Sequence, residues 1–238
     1  ALGRTGKPMT DEATPQRRPI KSYVVRGGRL TDAQQRALDE LWPRYGVPFT
    51  PQPLDLAALF GRDAACTLEI GFGNGDNLLA LATTQPQCNF IGVEVHPPGV
   101  GHLLRKAGDA GLTNLKVIQH DAVEVLQQQI AAQSLDSILV LFPDPWHKKR
   151  HNKRRLVNPD FAALAASRLK AGGTLQLATD WQPYAEAMLE VLNPAAGLRN
   201  RAADRRFVPR NPGRILTLFE KRGERLGHAV HDLCFEKL

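Results

Sequence analysis

The sequence predicts a doubly wound α/β fold: a mostly parallel sheet with helices on both faces and an antiparallel hairpin along one edge. Three observations carry this. Five short β-type runs, at residues 66–70, 89–95, 115–119, 135–142 and 174–178, alternate with helical runs, and that alternation builds parallel strands joined by crossover helices. A glycine-rich turn, Gly71-Phe72-Gly73-Asn74-Gly75, joins the first of these strands to the first helix between them, where such folds bind ligands. Two late strand-like segments, 214–220 and 230–235, flank the turn-prone residues 222–227 and read as a hairpin that brings the sheet to seven strands.

In chain order, residues 1–30 lack hydrophobic periodicity and read as a flexible basic arm. Thr31 is placed to cap a helix carrying Gln34, Leu38, Leu41 and Trp42 that stops near Gly46 and Pro48. A proline-rich link, 48–53, leads to a short helical stretch at 54–60, so 31–60 forms a helical extension. The α/β domain then occupies 61–238, with helices expected at 77–84, 100–110, 122–132, 159–169 and 184–192. No internal repeat or low-complexity tract interrupts it.

With 238 residues, 42% hydrophobic and 23% charged, the chain can bury a core and is not a disordered one. Its most apolar stretch, 138–142, is far too short to span a bilayer. The polar start, broken by Pro8, Pro15 and Pro19, has no signal-peptide pattern. Cys66, Cys88 and Cys234 are scattered and odd in number, against a disulfide framework or zinc ribbon and in keeping with a reducing compartment. A soluble cytoplasmic monomer is expected.

The net charge is +7, and its placement says more than its size. Residues 16–30 contain five Arg or Lys and no acid; residues 147–155 contain six and no acid. The remainder of the chain is therefore net negative, and the local basicity suits docking on a polyanion such as nucleic acid.

The glycine loop reads Gly-x-Gly-x-Gly. A dinucleotide fingerprint would place its third glycine at position 76, where this chain has Asp76. Glu94 ends the second strand, 19 residues past Gly75, where a carboxylate can accept hydrogen bonds from ribose hydroxyls. Asp121 follows the third strand and is placed to meet an adenine, although each acid taken alone also serves as a helix N-cap, Asp121 most readily. Glu69 precedes the loop. Several carboxylates at one rim suit a cofactor with an ammonium, a sulfonium and an adenosine, and would repel a pyrophosphate; S-adenosylmethionine is expected, bound through Glu69, Gly71, Gly73, Gly75, Glu94 and Asp121. The wholly apolar fourth strand runs into Pro143-Asp144-Pro145-Trp146, whose prolines restrict the backbone and pin Asp144 at the strand tip.

These residues resemble the bacterial tRNA (guanine-N7-)-methyltransferase family. The likeness rests on Glu69 to Gly75, on Phe142 to Trp146 with its basic run, on the region of Gly28 to Tyr45, on Thr179-Asp180-Trp181 with Tyr184, and on Thr217-Leu218-Phe219-Glu220 with the segment through His228. It implies the fold of S-adenosylmethionine-dependent methyltransferases and a guanine in the tRNA variable loop as acceptor. By position it implies Glu69, Glu94, Asp121 and Asp144 at the cofactor, with Asp144 catalytic. It further implies Lys148, Asp180, Thr217, Leu218, Phe219 and Glu220 at the substrate, and Arg150, His151, Asn152, Lys153, Arg154 and Arg155 at the RNA.

The chemistry agrees. Guanine N7 has an in-plane lone pair and no proton, so it can take a methyl group without a general base. The protein must align the reactants and place negative charge near the developing guanine cation. Asp144, with Asp180, is placed either to supply that charge or to accept hydrogen bonds from the base. Cytosine carbon methylation needs a thiolate, and no cysteine lies after the fourth strand. Methylation of an exocyclic amine is the second reading, since Asp144-Pro145-Trp146 supplies part of the tetrapeptide such enzymes carry. An oxidoreductase leaves the basic loop unexplained, and an RNA-binding module with a vestigial cofactor site leaves the acids and glycines unexplained. No metal is expected: His147 with His151, and His228 with His231, have no acid or cysteine ligands beside them. Trp146 and Trp181 are placed to stack on bases, whereas Trp42 suits core packing.

Overall fold

The computed structural model describes residues 21–24, 29–216, 220, 227 and 229–238. The rest of the predicted arm, Thr217, Leu218, Phe219 and most of the turn at 222–227 lie outside the described residues.

The first described helix is α1 (Asp32–Tyr45), where Thr31 forms a reciprocal capping box with Gln34, followed by the short α2 (Leu56–Phe60). The alternating unit follows as β1 (Cys66–Ile70), α3 (Asp76–Thr84), β2 (Asn89–Glu94), α4 (Pro97–Asp109), β3 (Leu115–Gln119), α5 (Ala122–Glu124), β4 (Leu135–Leu141), α6 (Pro159–Arg168), β5 (Leu169–Thr179), α7 (Gln182–Leu192), β6 (Leu198–Asn200) and β7 (His231–Lys237). The strand order is β3-β2-β1-β4-β5-β7-β6. β1 to β5 are parallel, and β7 runs antiparallel between β5 and β6. The order reverses between β1 and β4, so the ligand crevice of such a sheet opens above the carboxyl ends of these two strands.

Alternation along the strands divides the core. Leu68, Ile70, Ile138, Val140, Leu175 and Leu177 face α6 and α7. Phe90, Leu115 and Val117 face the other way, against α1, α3 and α4. The buried Tyr45 ends α1 on that second face, its hydroxyl within hydrogen-bond distance of the carbonyls of Ala107 (3.0 Å) and Leu112 (2.9 Å). The Trp42 ring packs there too, over Gly46, where a Cβ would lie 2.1 Å from it. The Val47 amide then donates to Val117 O, covering the edge strand β3.

Two expectations change. The helix predicted over 122–132 keeps its α geometry only to Glu124 and widens into a π turn at Val125–Gln129. The wide turn carries the buried Gln129, whose side-chain amide donates to Pro48 O and whose carbonyl accepts from the Leu54 amide. Beyond β5, the last strand pairs with Leu198–Asn200. Among the described residues of the predicted 214–220 strand, 214–216 are not in a strand, because Arg214 and Ile215 are held across the sheet face by side-chain contacts.

Tyr45→Phe removes one buried O–H donor, while Ala107 O keeps the Leu112 amide and Leu112 O keeps the Arg44 guanidinium. It is expected to cost about 0.5–1.5 kcal/mol of stability, read as a lower urea midpoint at unchanged slope.

Candidate active site

A cavity of about 310 Å³ lies at the switch point, lined by the glycine loop, Glu69, Glu94, His120, Phe142 and Asp144. Gly71, Gly73 and Gly75 all take left-handed φ angles (66°, 59° and 78°), which side chains resist. A Cβ on Gly71 or Gly73 would meet nothing within 4 Å, so the bare backbone leaves room for a ligand. Gly99 in α4 makes room in another way: a Cβ there would sit 2.1 Å from Gly73 O, so α4 packs directly beneath the loop.

The acids stand at successive strand ends in three different states. Glu94 is buried; its Oε2 accepts from the Gly73 amide (2.9 Å) and its Oε1 from the amides of Val95 (2.7 Å) and His96 (3.1 Å). One carboxylate thus ties the glycine loop to the turn after β2. Glu69 is also buried, and burial lifts its carboxyl to about 7 although the Asn77 side-chain amide donates to it at 2.9 Å. Asp121 behaves as a cap: its Oδ1 accepts from the amides of Val123 and Glu124. Burial pushes its carboxyl up, but the Lys21 ammonium at 2.8 Å outweighs this and leaves it below the usual range.

Lys21 also meets Glu124 at 2.8 Å, and the two carboxylates, Asp121 first, hold its ammonium protonated well above the ordinary range. Predicted as part of a basic arm for RNA, Lys21 instead spends its charge on its own chain. Ser22 and Tyr23 line the cavity beside it, and the Trp146 indole N–H donates to Ser22 O at 3.0 Å. Residues 21–23 thereby bridge the Asp121 side and the Asp144 side of the cavity mouth.

Asp144 is exposed at the cavity rim. Phe142 before it takes φ +52° and still donates to Ala178 O at 2.8 Å, so the chain leaves the sheet abruptly after β4. Lys148 is exposed and starts a 3-10 turn, Lys149–Arg154. Lys149, Arg150, Asn152 and Lys153 point to solvent, and among the described residues none of the cations from 148 to 155 forms an ion pair. Arg154 lies over the Trp146 ring at 4.8 Å, and His151 meets that ring edge-on. Arg155 turns inward, donating to Pro145 O and covering Tyr184 at 4.8 Å. Trp181 carries His147 against it at 4.4 Å. Asp180 is half-buried at the end of β5.

Glu220 is brought to a different place, a buried charge cluster on the α3 side of the sheet. Arg214 donates to both of its oxygens (2.6 and 3.0 Å) and to Asp232 (3.1 Å), and Arg210 adds a bond at 3.0 Å. Burial raises the Glu220 carboxyl, but Arg214 and then Arg210 outweigh it and hold it low; at Asp232 burial prevails over Arg214 and the carboxyl stays high. A larger cavity, about 600 Å³, lies beneath residues 208–214 and shares only Asn77 and Leu141 with the first. The smaller cavity is the one with the strand-end acids and the glycine loop.

Sequence reasoning missed Lys21, Asn77, Gly99, Arg214 and Asp232, since none stands in a motif whose spacing gives it a role. Among the described residues, no three of His, Cys, Asp and Glu cluster as metal ligands, and no helix is long and apolar enough to cross a membrane.

A doubly wound sheet with a glycine loop and acids at its switch point defines a class, and comparison agrees. A family model described as "Putative methyltransferase" matches residues 63–233. Solved methyltransferases share the fold. TrmN from Thermus thermophilus is 23% identical at TM-score 0.54, covering 77% of this chain and 47% of that one. The 16S rRNA methyltransferase KamB is 17% identical at TM-score 0.55, covering 90% and 99%. Among curated relatives, the tRNA (guanine-N(7)-)-methyltransferase of Pseudomonas savastanoi pv. phaseolicola is 56% identical over 227 residues, covering 95% of this chain and 93% of that one. The enzyme of the same name from Klebsiella pneumoniae is 54% identical over 231 residues, covering 97% of each. The chain belongs to the bacterial tRNA (guanine-N7-)-methyltransferase family.

Glu69 tests the electrostatics. An unfolded glutamate loses its proton near its ordinary 4.5, the folded one near 7, so between these values the folded state holds the extra proton and rising pH weakens it. Glu69→Gln removes that dependence. Its stability relative to the parent is expected to improve from pH 5 to about pH 7 and level off by pH 8, read from urea midpoints.

Proposed function

We propose that this chain transfers a methyl group from S-adenosylmethionine to N7 of a guanine in the variable loop of tRNA. The observation that carries the reading is the set of carboxylates at the strand ends around an open glycine loop, beside an unneutralised basic turn. A cavity of this size falls within the range of small-ligand sites, and its donor set fits the cofactor. Glu94 has one lone-pair site left, on Oε2, for a ribose hydroxyl, the bare backbone of Gly71 and Gly73 admits the methionine part, and Glu69 faces its cationic groups. Asp121 is assigned to the adenine, which it meets beside the Lys21 ammonium.

When bound, S-adenosylmethionine supplies an electrophilic methyl group on a sulfonium. The acceptor nitrogen needs no deprotonation, so the protein's work is alignment and charge. Asp144, fixed between two prolines at the rim, supplies negative charge where the guanine ring becomes cationic. Asp180 and residues 217–219 are assigned to the base, and Lys148 to the nucleotide, while Glu220 has both oxygens engaged by Arg214 and Arg210. The exposed cations of the 3-10 turn take phosphates, while Arg154, Arg155 and His151 hold the turn against Trp146 and Tyr184.

Transfer of labelled methyl to undermethylated tRNA, followed by strand scission selective for 7-methylguanine, tests the reading. Label resistant to that scission would point to an exocyclic amine instead. Asp144→Asn is expected to lower kcat by about 100-fold or more with tRNA affinity retained; a near-normal rate would remove Asp144 from the mechanism. Replacing Lys149, Arg150 and Lys153 together with Gln should weaken tRNA binding. It should also flatten the logarithmic salt dependence by about 0.7–0.9 per lost phosphate contact, measured by filter binding at several salt concentrations.

A further inference from the structure

Arg214 is buried, with 5% of its surface exposed, yet it joins three separate parts of the molecule. Its two terminal nitrogens donate to both oxygens of Glu220 and to Asp232 of β7. Its guanidinium lies 5.5 Å from the centre of the Phe142 ring. The next residue, Ile215, donates its amide to Asn77 Oδ1 at 3.3 Å, and Asn77 in turn donates to Glu69. Arg210 closes the arrangement by donating to Glu220 and to the Arg214 carbonyl.

A buried cation between two carboxylates adds little to stability over an apolar replacement of the same shape. What it does fix is geometry, because the planar fork meets a carboxylate in one orientation. Phe142 also needs fixing. It is a non-glycine residue in the left-handed region, and such conformations persist only where the surroundings over-determine them. The turn it makes is the one that delivers Asp144.

We propose that Arg214 is a positioning residue for methyl transfer, tying the buried Glu220 and Asp232 carboxylates to the Phe142 turn that delivers Asp144. This rests on the reading of Asp144 given above. In-line transfer depends on the reacting atoms lying about 3–3.5 Å apart, and a misplacement of about 1 Å from a distant change costs on the order of 100-fold. Arg214 touches neither reactant, so its loss acts on the rate and not on affinity.

The test compares single-turnover methylation of tRNA with equilibrium affinities for S-adenosylmethionine and tRNA. Lysine keeps the charge of Arg214 and loses the fork. Arg214→Lys is expected to slow the methyl-transfer step by about 10-fold or more with both affinities unchanged, and added guanidinium ion should partly restore the rate of Arg214→Ala. Asp232→Ala keeps the Arg214–Glu220 pair and removes only the third anchor. It is expected to slow transfer less, and it carries the test should the Arg214 variants fail to fold. A wild-type rate in Arg214→Lys, or in Asp232→Ala when that variant stands alone, overturns the proposal. So does a loss of rate that only tracks a loss of cofactor affinity. A parent protein that methylates no N7 position overturns the underlying reading instead, a separate and recognisable result.

Discussion

The carboxylate of Glu94 accepts three backbone N–H groups while almost wholly out of water. A buried charge is tolerated only when it is satisfied in this way, and the satisfaction has a structural consequence. The donors come from the glycine loop after β1 and from the turn after β2, so the charge fixes the distance between two neighbouring strand ends. Around that clamp the other acids take different roles. Glu69 is buried with one amide donor and holds its proton near neutrality. Asp121 caps a helix and binds Lys21. Asp144 faces solvent at the rim. The rim thus presents one clamped carboxylate, one whose burial raises it toward neutrality, one already paired with Lys21 and one exposed to solvent.

Most of the sheet was legible because its strands are short runs rich in buried apolar residues between clear helical periods; β1 and β3 match their predicted spans to the residue. The failures share a cause. Residues 214–220 are strand-like in sequence, but pattern cannot register that Arg214 is pulled onto Glu220 and Asp232. Leu198–Asn200 is too short to give any pattern, and becomes a strand only because β7 offers it an edge. The helix after Asp121 reads as regular because a π turn leaves no mark in hydrophobic spacing.

The site was legible in its acids and glycines and less so in its basic residues. Composition counts charges without pairing them. It cannot distinguish Lys21, bound to two carboxylates, from Lys149, Arg150 and Lys153, which face solvent. Nor can it show that Trp146, an attractive stacking platform in the sequence, already holds Arg154 over its ring and Ser22 at its edge. Long-range side-chain contacts of this kind, spanning more than a hundred residues between Ser22 and Trp146, exist only in the folded chain.

The central claim is that the strand-end carboxylates recognise a cationic adenosyl cofactor. Calorimetric titration with S-adenosylmethionine at pH 6 and pH 8 tests it most directly. The account predicts one-to-one binding that tightens toward pH 8, with a proton released as Glu69 ionises against the ligand. Absence of binding by the folded protein, or a preference for a nicotinamide dinucleotide, would contradict it.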